Sequence, residues 1–290
     1  MNVRTVSWLI LITLSVVWGS SFILMKRGLE AFSSQQVAAM RISIAFVVLV
    51  PLLLKHYQID LKKYWKGLLM MGFFGNFLPA FLFTAAETQI SSSLAGMLNA
   101  LTPLFAVIVA FLWFKIKPSS KKFSGLIVGF IAACGLILFD SGEDVFRNFS
   151  YGFLVLLATM SYAISANAIK RYLYDLNSVK ATVWAFCFTG PPALIYLLVG
   201  TDFTTRVQNH PGAGPALLYI AILAVVGTAV AVVLFNILIK NAGVLFASSC
   251  TYLIPVVAIL WGIFDGETVN GAQFLSMGAV ILSVYLINRD

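Results

Sequence analysis

Asn99, Thr102 and Pro103 interrupt LNALTPLFAVIVAFLW, an otherwise apolar run over residues 98–113. Thr251, Tyr252 and Pro255 do the same in CTYLIPVVAILWGIFD, residues 250–265. Amides, hydroxyls and a phenol set among apolar residues can hold and orient a small molecule by hydrogen bonds. Bond-breaking chemistry needs more: a nucleophile with its base, or a metal cluster. The chain has no Ser/His/Asp set and no metal-spaced cluster, and His56 and His210 fall in loops on opposite sides. No enzyme activity is therefore expected. In each run the proline removes a backbone donor and clashes with the preceding turn. In lipid, the carbonyl so freed must find another partner or face water in a cavity.

Other polar and aromatic groups fall at similar depth in apolar stretches: Trp18, Ser20 and Ser21, then Asn76, then Tyr162, Ser165 and Asn167, then Thr228 and Asn236. A buried amide cannot be satisfied by one partner, so Asn76, Asn99 and Asn236 point to a wet cavity as readily as to a helix contact. The serines and threonines serve equally as interhelical hydrogen-bond donors. Trp18, Tyr162 and Tyr252 would stack on a planar or apolar metabolite and orient it through N–H or O–H. The candidate substrate-binding set is Trp18, Ser21, Asn76, Asn99, Thr102, Tyr162, Asn167, Asn236, Thr251 and Tyr252, with Pro103 and Pro255 as hinges. No catalytic residue, metal site or cofactor is expected.

The elements that position these residues follow from composition. Only 10% of the 290 residues are charged and 60% are hydrophobic, with a mean hydropathy of +0.95. Soluble domains carry about 25% charged residues. Apolar stretches near 20 residues mean membrane helices, not a barrel. Ten spans are expected, at about 7–29, 35–54, 66–86, 91–114, 122–139, 150–171, 178–199, 215–239, 244–264 and 270–287. Arg4 before the first span has the look of a signal peptide. The run is too long for one and lacks a small-residue cleavage site. Cys134, Cys187 and Cys250 all lie within spans and read as buried hydrophobes.

The net charge of +8 reports topology. With a cytoplasmic amino terminus, fourteen Lys and Arg residues fall inside, among them Lys62, Lys63, Lys115, Lys117, Lys121, Lys122 and Arg289. Only Lys26, Arg27, Arg147 and Arg206 fall outside. That bias places both termini in the cytoplasm, and the basic excess meets anionic lipid, not nucleic acid. Arg41 lies about six residues into the second span, about 9 Å deep by helix rise and shallow enough to snorkel. Glu87 closes the third span and reads as a solvated helix end, though it is the best single candidate for a titrating group. Every other Asp, Glu and His is in a loop or at a helix end, so facilitated transport or exchange is expected.

Sliding the sequence by 152 positions aligns Pro103 with Pro255, Leu101 with Leu253, Ala106 with Ala258 and Ala95 with Ala247. A shift of 144 aligns Lys26-Arg27 with Lys170-Arg171, Trp18 with Tyr162 and Ser21 with Ser165. Each half, 1–145 and 146–290, would then hold five spans. Five is odd, so the second half enters the membrane inverted, as in secondary transporters.

The stretch WGSSFILMKRGLEAFSSQQVAAMRISIAF (residues 18–46) resembles the first two helices of EamA-type proteins in the drug/metabolite transporter superfamily. SSSLAGMLNALTPLFAVIVAFLW resembles their fourth helix, and ASSCTYLIPVVAILWGIFDGETVNGAQFLSMGAVIL their ninth and tenth. The family often has an acid after the fourth helix matching Glu267 after the ninth; Lys115 and Lys117 stand there instead. The resemblance implies an all-α integral membrane protein of ten transmembrane helices in two inverted five-helix repeats. It implies a secondary transporter in the plasma (inner) membrane, exporting amino acids or related amphipathic compounds by alternating access. A carrier of phosphorylated or nucleotide-linked sugars is the alternative within transport; it would need several mid-depth cations. A membrane-embedded enzyme or a non-transporting scaffold is the alternative outside it. The expected partners are a small-molecule metabolite and the lipid bilayer, with homo-oligomerisation left open. No nucleotide-binding loop is present to power movement.

Overall fold

The computed structural model describes residues 2–56, 58–115, 120–139 and 145–288. Lys117, Asp144 and Arg289 lie outside them, and so do the side chains of Lys121, Lys122 and Arg147. Among the described residues there are helices and no strands. Eight helical segments are long and apolar enough to cross a membrane: α1 (Val3–Leu29), α2 (Ser34–Lys55), α3 (Leu61–Ala86), α4 (Ser92–Phe114), α6 (Phe149–Tyr172), α7 (Ser178–Val199), α8 (Ala213–Val244) and α9 (Phe246–Phe264). Two further helices, α5 (Ser120–Leu138) and α10 (Gly271–Asn288), carry shorter apolar stretches. The bundle's outer surface is greasy, with Val199 and Phe264 each 83% exposed and Leu275 79%. Lipid solvates such side chains, whereas water would make that surface aggregate.

Local chemistry sets the helix ends. Ser33 and Gln36 exchange backbone-to-side-chain bonds ahead of α2, and Asn270 and Gln273 do the same ahead of α10. Both are capping boxes, satisfying two orphan N–H groups reciprocally. Asn177 caps α7 through the Val179 and Lys180 amides. Gly243, at φ +84, breaks the helical backbone one residue before the end of α8, in a region closed to most side chains.

Pro103 and Pro255 do not kink continuous helices. α4 stops at Asn99 and restarts at Thr102, and a 3₁₀ turn, Ser249–Tyr252, precedes Ile254 in α9. Pro103 and Pro255 each sit in the first turn of the restarted half. A missing N–H costs nothing there, so the prolines begin half-helices instead of bending whole ones.

α5 packs on α10, α2 on α7, and the first half of α4 on α9. α1 packs against α8 and α9, as α6 packs against α3 and α4. The charged ends segregate. Lys26, Arg27, Asp265 and Glu267 meet at one end of the bundle, where Gln36 also donates to Asp202. Lys63 and Tyr64 meet Asp175 at the other, where Lys180 donates to the Gln58 carbonyl.

Candidate functional site

Two helices are widened by a π turn where the sequence places glycine before a polar residue. One is Phe73–Phe77 in α3, the other Val225–Val230 in α8. A π turn inserts one residue and loosens the hydrogen-bond ladder, a distortion common at functional sites. The Asn76 amide donates to the Met71 carbonyl at 3.2 Å, and the Thr228 hydroxyl donates to the Leu223 carbonyl at 3.1 Å. Each reaches five residues back, so the polar side chain recovers a carbonyl that the ladder has lost. The glycines permit close approach. A Cβ at Gly75 would overlap Ser165 on α6, and one at Gly227 would lie 3.0 Å from Ser21 Oγ on α1.

These distortions open onto one central cavity. Trp18 and Ser21 of α1 line it, with Asn76 of α3 and Asn99 and Thr102 at the α4 break. Tyr162 of α6, Asn236 of α8 and Thr251 at the α9 break add to the polar part of the wall. Thr102 and Thr251 donate to the Asn99 and Ser248 carbonyls, satisfying backbone where the helices are interrupted. Trp18 Nε1 donates to the Gly227 carbonyl at 3.0 Å, inside the π turn. Trp18 meets Phe235 edge-on at 5.1 Å, and Phe83 stacks on Tyr162 at 5.9 Å. The lining is thus mostly apolar and aromatic with a few converging polar groups, the form of a small-molecule site.

Two expected members lie elsewhere. Asn167 is buried between helices, its amide donating to the Ala106 carbonyl of α4 and the Ala163 carbonyl one turn back. Its polarity is spent on helix contact. Tyr252 is half-buried and off the cavity wall. The 3₁₀ turn advances about 120° per residue, and it aims Thr251 inward instead.

Arg41 and Glu87 depart furthest from expectation. Arg41 does not snorkel to the interface; it is 8% exposed and lines the cavity. Its Nε donates to Thr228 Oγ1 at 2.8 Å, its Nη1 approaches the Met25 sulfur, and its head group also meets the Tyr162 hydroxyl. A guanidinium near a helix end turns inward when a packed neighbour offers an acceptor. Among the described residues it is the one cation in the lining. Glu87 is not a solvated helix end: it too is 8% exposed, and neither carboxyl oxygen has a hydrogen-bond partner. Asn236 Oδ1 and Ser248 Oγ, both on the cavity wall, are also buried without partners, although the Asn236 amide donates to Thr182. Depth counted along the sequence marked Arg41 and Glu87 but could not show which way they turn.

The EamA-like transporter family model matches residues 6–138 and again 150–289. The Escherichia coli (strain K12) protein named "Uncharacterized inner membrane transporter YedA" is 25% identical over 280 residues, covering 96% of this chain and 89% of its own. A Chlamydia trachomatis serovar L2 protein named "S-adenosylmethionine/S-adenosylhomocysteine transporter" is 26% identical over 287 residues, covering 94% and 86%. One solved protein crystal structure superposes with a TM-score of 0.67 at 15% identity, covering 97% of this chain and 96% of that one. That likeness is one of fold.

Proposed function

The chain belongs to the EamA-like transporter family, and from that premise we propose that it moves carboxylate-bearing amphipathic metabolites, amino acids or their larger relatives, through the central cavity by alternating access. The observation that carries the substrate class is the lining itself. Arg41 stands on one wall, aromatic rings lie between, and the unpartnered Asn236 Oδ1 and Ser248 Oγ lie further along. The guanidinium suits a carboxylate; the free oxygens suit a hydrogen-bond donor. Asn236 lies eight residues beyond Thr228 on α8, about 12 Å by helix rise. A single α-amino acid would reach Arg41 alone, whereas a longer amphipathic relative would span both. One arginine is a thin basis for a phosphorylated sugar, which favours the carboxylate reading.

Ten membrane helices in two inverted repeats fit the same reading. The family model matches the chain twice. Helix pairings survive exchange of the halves, α1 with α8 and α9 mirroring α6 with α3 and α4. The π turns fall 152 residues apart, the same shift that pairs the prolines, and their carbonyl partners Met71 and Leu223 follow it. Gly75 against Ser165 is matched by Gly227 against Ser21. Two pseudo-equivalent halves permit inward- and outward-open states of similar energy.

The test is transport by protein reconstituted in vesicles, against a panel of amino acids, methionine derivatives including S-adenosylmethionine, and sugar phosphates. Saturable movement of carboxylate-bearing amphipathic members is expected; movement of sugar phosphates alone would overturn the substrate class. Orientation is tested separately, with Cys134, Cys187 and Cys250 replaced. An impermeant thiol reagent outside the cell should spare Lys62→Cys and label Asp202→Cys, and the reverse would place both termini outside.

A further inference from the structure

Glu87 is the buried ionisable group that the transport reading leaves unused. It follows α3 by one residue, at the end of the bundle where Lys26, Asp265 and Glu267 meet. It also lines a hollow with Lys26, Glu30, Ser33, Ser34 and Thr88, while Phe83, one turn earlier on α3, lines the central cavity. The carboxyl therefore stands at the partition between the two spaces. Its side chain is almost wholly buried and both oxygens lack a hydrogen bond. An ionised carboxylate without a partner is strongly disfavoured there, and such a group neutralises instead.

We propose that Glu87 is a proton-binding site of this transporter, neutral in the conformation described and ionised when this end of the bundle opens to water. The reason is what surrounds it. Lys26 on α1 is paired with Asp265 and Glu267, and Arg41 on α2 turns its Nε to the Thr228 hydroxyl and makes no bond to Glu87. Glu30, beyond α1, is held by Arg27. Neither Lys26 nor Arg41 bonds to Glu87, and Glu267 adds a like charge. Burial pushes the Glu87 carboxyl well up, Glu267 adds to the rise, and Arg41 and Lys26 only oppose it. Opening the partition would admit water and break the carboxyl O–H bond, with the proton passing to that water. One proton is then bound on closure and released on opening. This replaces uncoupled exchange as the expectation for energy coupling.

Coupling of that proton to substrate movement rests on the transport reading, but the proton site does not, so it is tested without substrate. Infrared difference spectra of the reconstituted protein across a pH titration should show a protonated-carboxyl band persisting at neutral pH. Glu87→Gln should remove it, while Glu267→Gln and Glu30→Gln keep it. Thermal unfolding gives a second readout. A carboxyl whose folded pKa is raised stabilises the fold below its unfolded pKa, and that contribution is lost as pH rises through the folded value. The Tm of Glu87→Gln should therefore exceed that of wild type by a margin that widens from about pH 5 to about pH 8. Absence of the band in wild type, its survival in Glu87→Gln, or its loss in Glu267→Gln or Glu30→Gln would overturn the proposal. The wild-type, Glu267→Gln and Glu30→Gln spectra decide it even if Glu87→Gln does not fold. A band without transport would sink the coupling alone.

Discussion

Replacing Arg41 with glutamine is expected to cut transport of carboxylate-bearing substrates about 100-fold, since losing one partner of a buried charge pair costs roughly 2–5 kcal/mol and about 1.4 kcal/mol is a factor of ten. Two properties put Arg41 first. It is the one cation lining the cavity among the described residues, and it reaches the π turn through Thr228. A carboxylate bound there would be shielded from water, so the loss would fall on affinity and show chiefly as a raised KM. Lysine restores the charge but not the planar fork that holds two oxygens at once. Arg41→Lys should therefore recover only a small part of the activity. Initial rates in vesicles, with Tm measured in parallel, check the point. Normal transport by Arg41→Gln would show that the guanidinium merely ties α2 to α8.

Glu267→Ala is expected to give the largest loss of stability, about 2–3 kcal/mol, read as a lower Tm in detergent; that is below the roughly 3–5 kcal/mol of a fully buried pair because Lys26 remains partly in solvent. Glu267 accepts from the amide and hydroxyl of Ser92 and from the same two groups of Ser93, and it pairs with Lys26. One carboxylate thereby caps the α4 N-terminus, where the helix dipole favours a negative charge, and ties it to α1. Burial alone would push the carboxyl up, yet Lys26 and the Ser93 and Ser92 groups hold it at about 2. Folded below unfolded, this pKa makes the contribution complete above the ordinary carboxylate range. It is lost progressively as pH falls below that range to about 2. The gap between wild type and Glu267→Ala should thus stay constant from neutral pH down to mild acid and close only in strong acid. A gap that closed near neutrality would contradict the capping role.

The sequence by itself determined that the chain is helical and built for lipid, because apolar length and charge scarcity leave no other way to satisfy a buried backbone. It also determined which depth matters. Asn76, Asn99, Thr102, Asn236 and Thr251 were legible as costly polar groups in apolar runs, and the structure brings them to one cavity with Trp18, Ser21 and Tyr162. Depth is a one-dimensional property, read by counting residues. Direction is not, and only the tertiary structure decided it. Asn167 lies near the depth of Tyr162 yet spends its amide on α4, and Tyr252 is turned aside by a 3₁₀ turn that its own composition does not announce. Arg41 and Glu87 show the same limit with larger consequences. Each sits near a helix end where water, lipid headgroups and the bundle interior are all within reach of a long side chain. Which of the three it meets depends on residues far off in the chain: Thr228 is 187 positions from Arg41, and Glu267 is 180 from Glu87. The pairing of α3 and α8 π turns was hidden for a related reason: a glycine before a polar residue does not by itself announce one, since Gly19-Ser20 stays within a regular helix.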